Sequence, residues 1–555
     1  MDVFDFRDRL IDNYSTYIGS FIQIREPRID RFVRERLDGG VLWPEPLIQL
    51  NPAFAAGAWI EELIREEVLH PECGRVFRAK PDAGSTGDPM RLHQHQEEAI
   101  RLARQGLHYV LTTGTGSGKS LAYIVPIVDH VLRAGRGKGI TAIVVYPMNA
   151  LANSQAGELE KFLCHGYPVG GEPVRFATYT GQEDDAQKAE IVKNPPDILL
   201  TNYVMLELIL TRPQEHGLVA AAQGLRFLVL DELHTYRGRQ GADVALLVRR
   251  VQDALHADRL QFVGTSATLA GSGSYLEQRR QVAASASRLF GAQLGPEQVI
   301  GETLRRATVQ RDLSEPRYAH DLARRIGDNT YPSPGDAHAY IDDPLSGWIE
   351  STFGVEAEAG SGRLIRATPR SIGGAHGAAQ ALHEATGVSQ ERCAVAVREG
   401  LLASYRCVRD PEREKPPFAF RLHQFISRGD TVYASLESEE QRHLTMEGQQ
   451  FVPGHRDRVL LPLVFCRECG QEYYCVRRTG APGGGGTRFA GRELSDGEQG
   501  EDTKAGFIYY NGINPWPREE EEMVPRLPED WLEEHRGSLR VRRDLRERLP
   551  KPILV

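Results

Sequence analysis

Short apolar runs with no polar interruption recur along the first half of the chain: Tyr109-Val110-Leu111, Val144-Val145-Tyr146, Ile198-Leu199-Leu200, Phe227-Leu228-Val229-Leu230 and Phe262-Val263. A strand with one solvated face alternates apolar and polar residues. An uninterrupted run marks a strand covered on both faces, as in a parallel sheet sandwiched by helices. Each run hands over to small polar or acidic residues, which places them at the carboxyl end of a strand, where such sheets bind ligands. The pattern predicts an α/β fold, a parallel sheet with helices on both faces, over residues 89–290.

Helical spacing of Leu, Val, Ala and Phe predicts a helix over 275–290 and others over 378–385 and 391–402. Nearer the N-terminus, Ile29, Phe32 and Val33 form an apolar stripe on a helix that also carries Arg28, Arg31, Arg34 and Arg36. Residues 418–436 and 459–465 contain strand-like runs. Residues 81–89 read as a linker, and Thr479 to Thr487, rich in glycine, as a loop. The expected organisation is a helical region over 1–88, the α/β domain over 89–290, a mostly helical region over 291–417 in which no chemistry is visible, a β-rich region over 418–480, and a partial region over 481–555. Within the last, Arg518 to Glu522 is read as a solvated charge run.

The first apolar run leads into Thr112-Thr113-Gly114-Thr115-Gly116-Ser117-Gly118-Lys119-Ser120 and then into the helix-like Leu121-Ala122-Tyr123-Ile124-Val125. Strand, glycine-rich loop, helix is the order of a phosphate-binding loop. The glycines let backbone N–H groups turn inward around phosphate oxygens. Lys119 reaches the β- and γ-phosphates in such a loop, and the Ser120 hydroxyl ligates Mg²⁺. The strict pattern has Gly where this chain has Thr113. A second run, Phe227 to Leu230, ends in Asp231-Glu232-Leu233-His234. Asp231 there suits a Mg²⁺ ligand and Glu232 a group that orients or deprotonates water. A third ends in Ser266-Ala267-Thr268.

In this order, the three segments resemble motifs I, II and III of the first RecA-like domain of superfamily 2 helicases, the DEAD/DEAH-box class. Residues 144–155, 177–182 and 197–203 look like motifs Ia, Ib and Ic. The resemblance implies an ATP and Mg²⁺ site with Lys119, Asp231, Glu232 and His234 as catalytic residues, and Ser266 and Thr268 as coupling residues. It implies that Asn149, Ala150, Thr180, Gly181, Thr201 and Asn202 grip a sugar–phosphate backbone, a task suited to amides and hydroxyls that read no sequence; ordinary turn and cap roles stay open for them. Gln96, with Gln94 as its rival, matches the glutamine that reads adenine. The wording of 146–155 and 231–244 looks like the large bacterial Lhr-like and MrfA-like helicases, a group serving DNA repair, with relatives in phage defence.

Composition adjusts this picture little. Of 555 residues, 41% are hydrophobic and 26% charged, as in ordinary globular proteins. No run approaches the ~20 apolar residues that cross a bilayer, and Met1 to Asp5 has no leader-like flank. With 7 scattered cysteines, a reducing cytoplasm is expected and no membrane partner. A net charge of −9 does not exclude nucleic acid, which needs a local basic stripe. Arg237 with Arg239, and Arg249 with Arg250, are candidates; solvated helix faces are the alternative. Cys466-Arg467-Glu468-Cys469-Gly470 is half of a zinc ribbon, with Cys475 as a third candidate Zn²⁺ ligand.

No second motif set, with its arginine finger, is visible; Gly238-Arg239-Gln240-Gly241 lies beside motif II, in the wrong place. The expectation is an N-terminal part of a larger or split helicase, with a second RecA-like domain on another chain as partner. The function expected is an ATP-dependent helicase or translocase on single-stranded or partly duplex nucleic acid, DNA in preference to RNA. The alternative is an ATP-gated nucleic-acid-binding scaffold or defence subunit, a half-motor without turnover of its own.

Overall fold

A computed structural model describes residues 2–553 except 81, 83, 115, 169, 268–272, 313–314, 329–331, 409–415, 428–430, 481–486, 495, 497–502 and 513. The chain divides into two compact units. One comprises Leu50–Thr368 and Ala403–Phe420; the other comprises Met1–Gln49, Pro369–Leu402 and Arg421–Val555.

The first unit is built on seven parallel strands: β1 (Tyr109–Thr112), β2 (Ala142–Tyr146), β3 (Phe176–Tyr179), β4 (Ile198–Asn202), β5 (Phe227–Leu230), β6 (Gln261–Ser266) and β7 (Val299–Gly301). Their spatial order is β7-β1-β6-β5-β2-β4-β3, and all six pairings are parallel. Neighbouring residues of a strand point to opposite faces, and both faces are covered. Tyr109, Leu111, Val144, Tyr146 and Val229 join one core with helices α1 (Gln94–Arg104), α2 (Leu121–Ala134) and α3 (Asn149–Leu163). Val110, Ile143, Val145, Leu228 and Leu230 join the other, with α4 (Tyr203–Thr211), α5 (Gly238–Ala254) and α6 (Tyr275–Phe290). The uninterrupted apolar runs are explained by this double covering.

The expected helices are present at 275–290 and, slightly extended, at Ala378–Thr386 and Gln390–Arg406. Residues 1–88, expected to be helical, also carry the strands Leu47–Asn51, Ala53–Phe54 and Ala56–Trp59. At the end of the expected linker, Asp88–Pro89 pairs antiparallel with Arg78–Ala79. Beyond β7, an antiparallel hairpin joins β8 (Val355–Ala357) to β9 (Leu364–Arg366).

The second unit has a mostly antiparallel sheet around β10 (Leu461–Phe465), β11 (Glu472–Gly480), β12 (Thr487–Gly491) and β13 (Thr503–Ile508). Helix Pro27–Asp38 lays Ile29 and Val33, one turn apart, on Val432, Leu461, Leu463, Tyr474 and Val476. The apolar stripe read from sequence is this contact, with Phe32 at its edge.

The zinc expectation is not supported. The Cys466–Gly470 knuckle forms a turn, closed by Gly470 N–H to Cys466 O and Cys466 N–H to Gln471 O, both 2.9 Å. Backbone N–H groups of Cys469 and Glu468 hold the Cys466 thiol below its usual range. Cys475, however, is three positions along β11 from Glu472, which pairs with Phe465 next to the knuckle. At ~3.3 Å rise per residue the strand carries Cys475 away from the other two thiols. Its thiol is buried, and burial pushes it upward. Among the described residues no group of three or more His, Cys, Asp or Glu side chains could hold a metal ion.

Candidate nucleotide site and nucleic-acid face

The phosphate loop leaves β1 and feeds α2. Gly116 and Gly118 take positive φ values of 82° and 67°, conformations only glycine enters without strain. The loop is braced from within and from outside. The buried hydroxyls of Thr113 and Ser117 bond each other at 2.6 Å. Threonine at the position usually held by glycine is therefore a loop closure. Thr113 N–H donates to Ser266 O at 3.2 Å, tying the loop to the end of β6, where Ser266 pairs with Thr112.

Gln96 is placed against the loop, not open to a base. Its Nε2 donates to Gly118 O at 2.8 Å and its Oε1 accepts from His93 N–H at 2.8 Å. A Cβ on Gly118 would lie 2.6 Å from that Nε2. Gln94, its rival, contacts Glu98 on the exposed side of α1.

Strand β5 delivers Asp231 and Glu232 opposite the loop. Lys119 Nζ lies 3.0 Å from Glu232 Oε1, so the loop cation already faces the acidic pair. Asp231 accepts the Thr265 hydroxyl, and that same hydroxyl accepts the Glu232 N–H at 3.1 Å. Glu232 sits at φ 52°, a left-handed conformation that turns its carboxylate back toward the loop and is held by these contacts. Burial pushes the Asp231 carboxyl above the usual range, the Thr265 hydrogen bond opposes this, and the neighbouring Glu232 charge adds to it. Glu232 Oε2 is buried without a hydrogen bond, 3.2 Å from His234 Nδ1. His234 Nδ1 is also 3.3 Å from Ser266 Oγ, which places Ser266 between motif II and the loop strand. Ser120 donates to Gln155 Oε1 of α3. Thr115 and Thr268 lie outside the described residues.

This donor set fits Mg²⁺ and a nucleoside triphosphate. A half-buried carboxyl, a carboxylate oxygen without a hydrogen bond, a hydroxyl, an ammonium and a glycine cradle converge on one place. Sequence reasoning missed the supports. Gln155 lies within 144–155 and Thr265 directly before Ser266, but neither carried a signal of its own. Glu302 and Arg366, which lie on the loop, come from 291–417, where no chemistry was expected.

The strand ends farther along the sheet carry the second predicted set. Asn202 Nδ2 donates to Asn149 Oδ1 at 2.7 Å and to Thr180 O at 3.0 Å. Its Oδ1 accepts Met205 N–H at 2.8 Å, capping α4. Asn149, Asn202 and Thr180 are thus brought together, with Ala150 exposed beside them. Thr201 is different: it is fully buried and its hydroxyl donates to Tyr179 O at 2.7 Å, so its side chain holds strands together. The amides of Thr180 and Gly181 are occupied by the Glu183 carboxylate, at 2.8 and 2.9 Å.

Residues 93–274 match the DEAD/DEAH box helicase family. This segment is a DEAD/DEAH-box helicase domain. The ATP-dependent helicase YprA of Bacillus subtilis, itself uncharacterized, is 31% identical over 189 residues, 34% of this chain and 24% of that protein. The ATP-dependent helicase HRQ1 of Saccharomyces cerevisiae is 30% identical over 200 residues, 35% of this chain and 18% of that protein. The chain therefore spans at most about a quarter of these relatives. Among solved structures, the DUF1998 helicase MrfA bound to DNA aligns with a TM-score of 0.35 at 21% identity, over 52% of this chain and 35% of that one. The helicase domain carries Lys119, Asp231 and Glu232, and also Asn149, Thr180 and Asn202, at or just beyond the carboxyl ends of its strands.

Proposed function

We propose that the chain is an ATP-dependent helicase or translocase that binds and hydrolyses ATP and acts on nucleic acid, DNA in preference to RNA, in repair or defence against phage. The observation that carries this reading is the 3.0 Å approach of Lys119 to Glu232, which joins the phosphate loop to the acidic pair inside a helicase domain. Lys119 and the loop amides would bind the phosphates, Ser120 and Asp231 would hold Mg²⁺, and Glu232 would orient the attacking water and take its proton. The cation, when bound, neutralises charge developing on the phosphoryl oxygens. Ser266, touching His234 and the loop, would couple this site to the strand ends carrying Asn149, Thr180 and Asn202. Relatives named ATP-dependent helicases support the reading.

The half-motor reading has its own support. Among the described residues there is one seven-stranded parallel sheet, and an arginine finger is worth roughly 10³–10⁵ in turnover. The test is ATP hydrolysis by the purified chain, with and without single-stranded DNA, against Lys119→Ala. Turnover stimulated by DNA and lost in the variant is the expected result for the motor. Nucleotide binding with negligible turnover favours the half-motor that requires a partner domain. Equal signals from wild type and variant would exclude this site altogether.

A further inference from the structure

The Gly114 N–H of the phosphate loop is already occupied. Strand β7 pairs with β1 so that Gly301 stands opposite Thr112, and the next residue, Glu302, emerges beside the loop. Glu302 Oε2 accepts Gly114 N–H at 3.1 Å. The same carboxylate holds Arg366 as a two-pronged pair, Nε to Oε1 at 2.7 Å and Nη2 to Oε2 at 2.9 Å. Arg366 ends β9, and its guanidinium lies directly on Gly114: a Cβ there would be 2.5 Å from Arg366 Cζ and Nη2. Arg363, three residues earlier in the same hairpin, donates to Glu302 O at 2.6 Å and stacks on Tyr275 at 3.6 Å. Two arginines from one hairpin thus converge on the residue that caps the loop.

A carboxylate on a loop amide takes a hydrogen bond of the kind that phosphate oxygens accept from such loops. An arginine offers five N–H donors in a planar fork, and Glu302 uses one face of it. We propose that Arg366 is a nucleotide-binding residue supplied in cis by the β8–β9 hairpin, and that Glu302 is a phosphate surrogate that holds it over the loop until a nucleoside triphosphate displaces the carboxylate. When the nucleotide binds, Gly114 N–H passes from carboxylate to phosphate, and the Arg366 fork turns from Glu302 to the same polyphosphate. Both are charge-assisted contacts, and the second is of the kind arginine makes best. The inference rests on the ATP site proposed above.

The test is titration of the full chain with a fluorescent ATP analogue and Mg²⁺. The variants are Lys119→Ala, Arg366→Ala, Arg366→Lys and Glu302→Gln, with circular dichroism and melting curves for each. Arg366→Ala is expected to weaken binding roughly 10-fold or more, the loss of a charge-assisted hydrogen bond. Arg366→Lys should recover part of it. Glu302→Gln should tighten binding several-fold, since it removes the competing charge and keeps the shape. Opposite signs are the decisive feature: a merely structural ion pair would weaken binding on loss of either partner, with matching falls in melting temperature. Parallel weakening, or unchanged affinity in the Arg366 variants while Lys119→Ala abolishes binding, overturns this proposal alone. A wild type that does not bind, or a Lys119→Ala that binds equally, overturns the ATP site and this proposal with it.

Discussion

At the scale of single residues, the site is a set of charges arranged to be relieved by a ligand. Asp231 shows this best. Its carboxyl is raised chiefly by burial, so the folded chain holds a proton that the unfolded chain has already lost. Stability then falls as pH rises from the ordinary aspartate range through the raised value, and stays lower above it. Asp231→Asn removes that loss. The variant is expected to melt above the wild type at neutral pH without Mg²⁺, with the gap closing toward ~pH 4, where both states are protonated. ATP turnover by the variant should fall about 100-fold or more, since the cation loses its ligand. Thermal melts at a series of pH values, with a parallel hydrolysis assay, check both; a variant less stable than wild type at pH 7 would contradict the assignment.

At the scale of elements, what was legible in the sequence was what the backbone itself dictates. Doubly covered strands write continuous apolar runs, so β1, β2, β4, β5 and β6 could be read directly, and with them the places of Lys119, Asp231 and Glu232. Contacts between distant segments leave no such trace. Glu302 reaches Gly114 only because β7 lies beside β1, and Arg366 only because a hairpin returns to it; neither has a local pattern. Thr201 shows a related effect: its place at a strand end was legible, but the register that buries its hydroxyl against Tyr179 was not. Register also explains Gly264 on β6. A Cβ there would lie 2.4 Å from Leu233 Cδ1 and 3.3 Å from Phe290 Cζ, so this glycine makes room for the leucine of the acidic motif. Gly264→Ala should push Leu233 outward. A stability loss of ~1–3 kcal/mol, typical of overpacking, is expected by urea denaturation, together with weaker ATP turnover because Glu232 is carried on the displaced turn. Unchanged turnover in a destabilised variant would show that β6 supports the fold without steering motif II.

At the scale of the whole molecule, a net charge of −9 has to be reconciled with a nucleic-acid partner. The candidate face answers with amides and hydroxyls, not with a field of cations. Of the arginines noted in the sequence, Arg250 pairs with Glu207 at 3.0 Å and Arg249 donates to the carbonyls of Ala245 and Arg288, which leaves Arg237 and Arg239 exposed. Affinity for single strands falls with salt by roughly 0.7 logarithmic units per neutralised phosphate. Two arginines then predict a shallow slope, between about −1 and −2, in a plot of log K against log salt for single-stranded DNA; a slope beyond about −4 would mean a basic surface elsewhere. The same face also carries its own competitor. Burial raises Glu183, but donors from its own backbone, Thr180 and Gly181 outweigh it and keep the carboxyl below its usual range. It stays ionised at neutral pH and covers two amides suited to a phosphate. Glu183→Gln should therefore tighten single-stranded DNA binding several-fold in a fluorescence anisotropy titration, with little change in the salt slope because no cation is added. Weaker binding in that variant would make Glu183 a support of the loop and move the nucleic-acid contact away from Thr180 and Gly181.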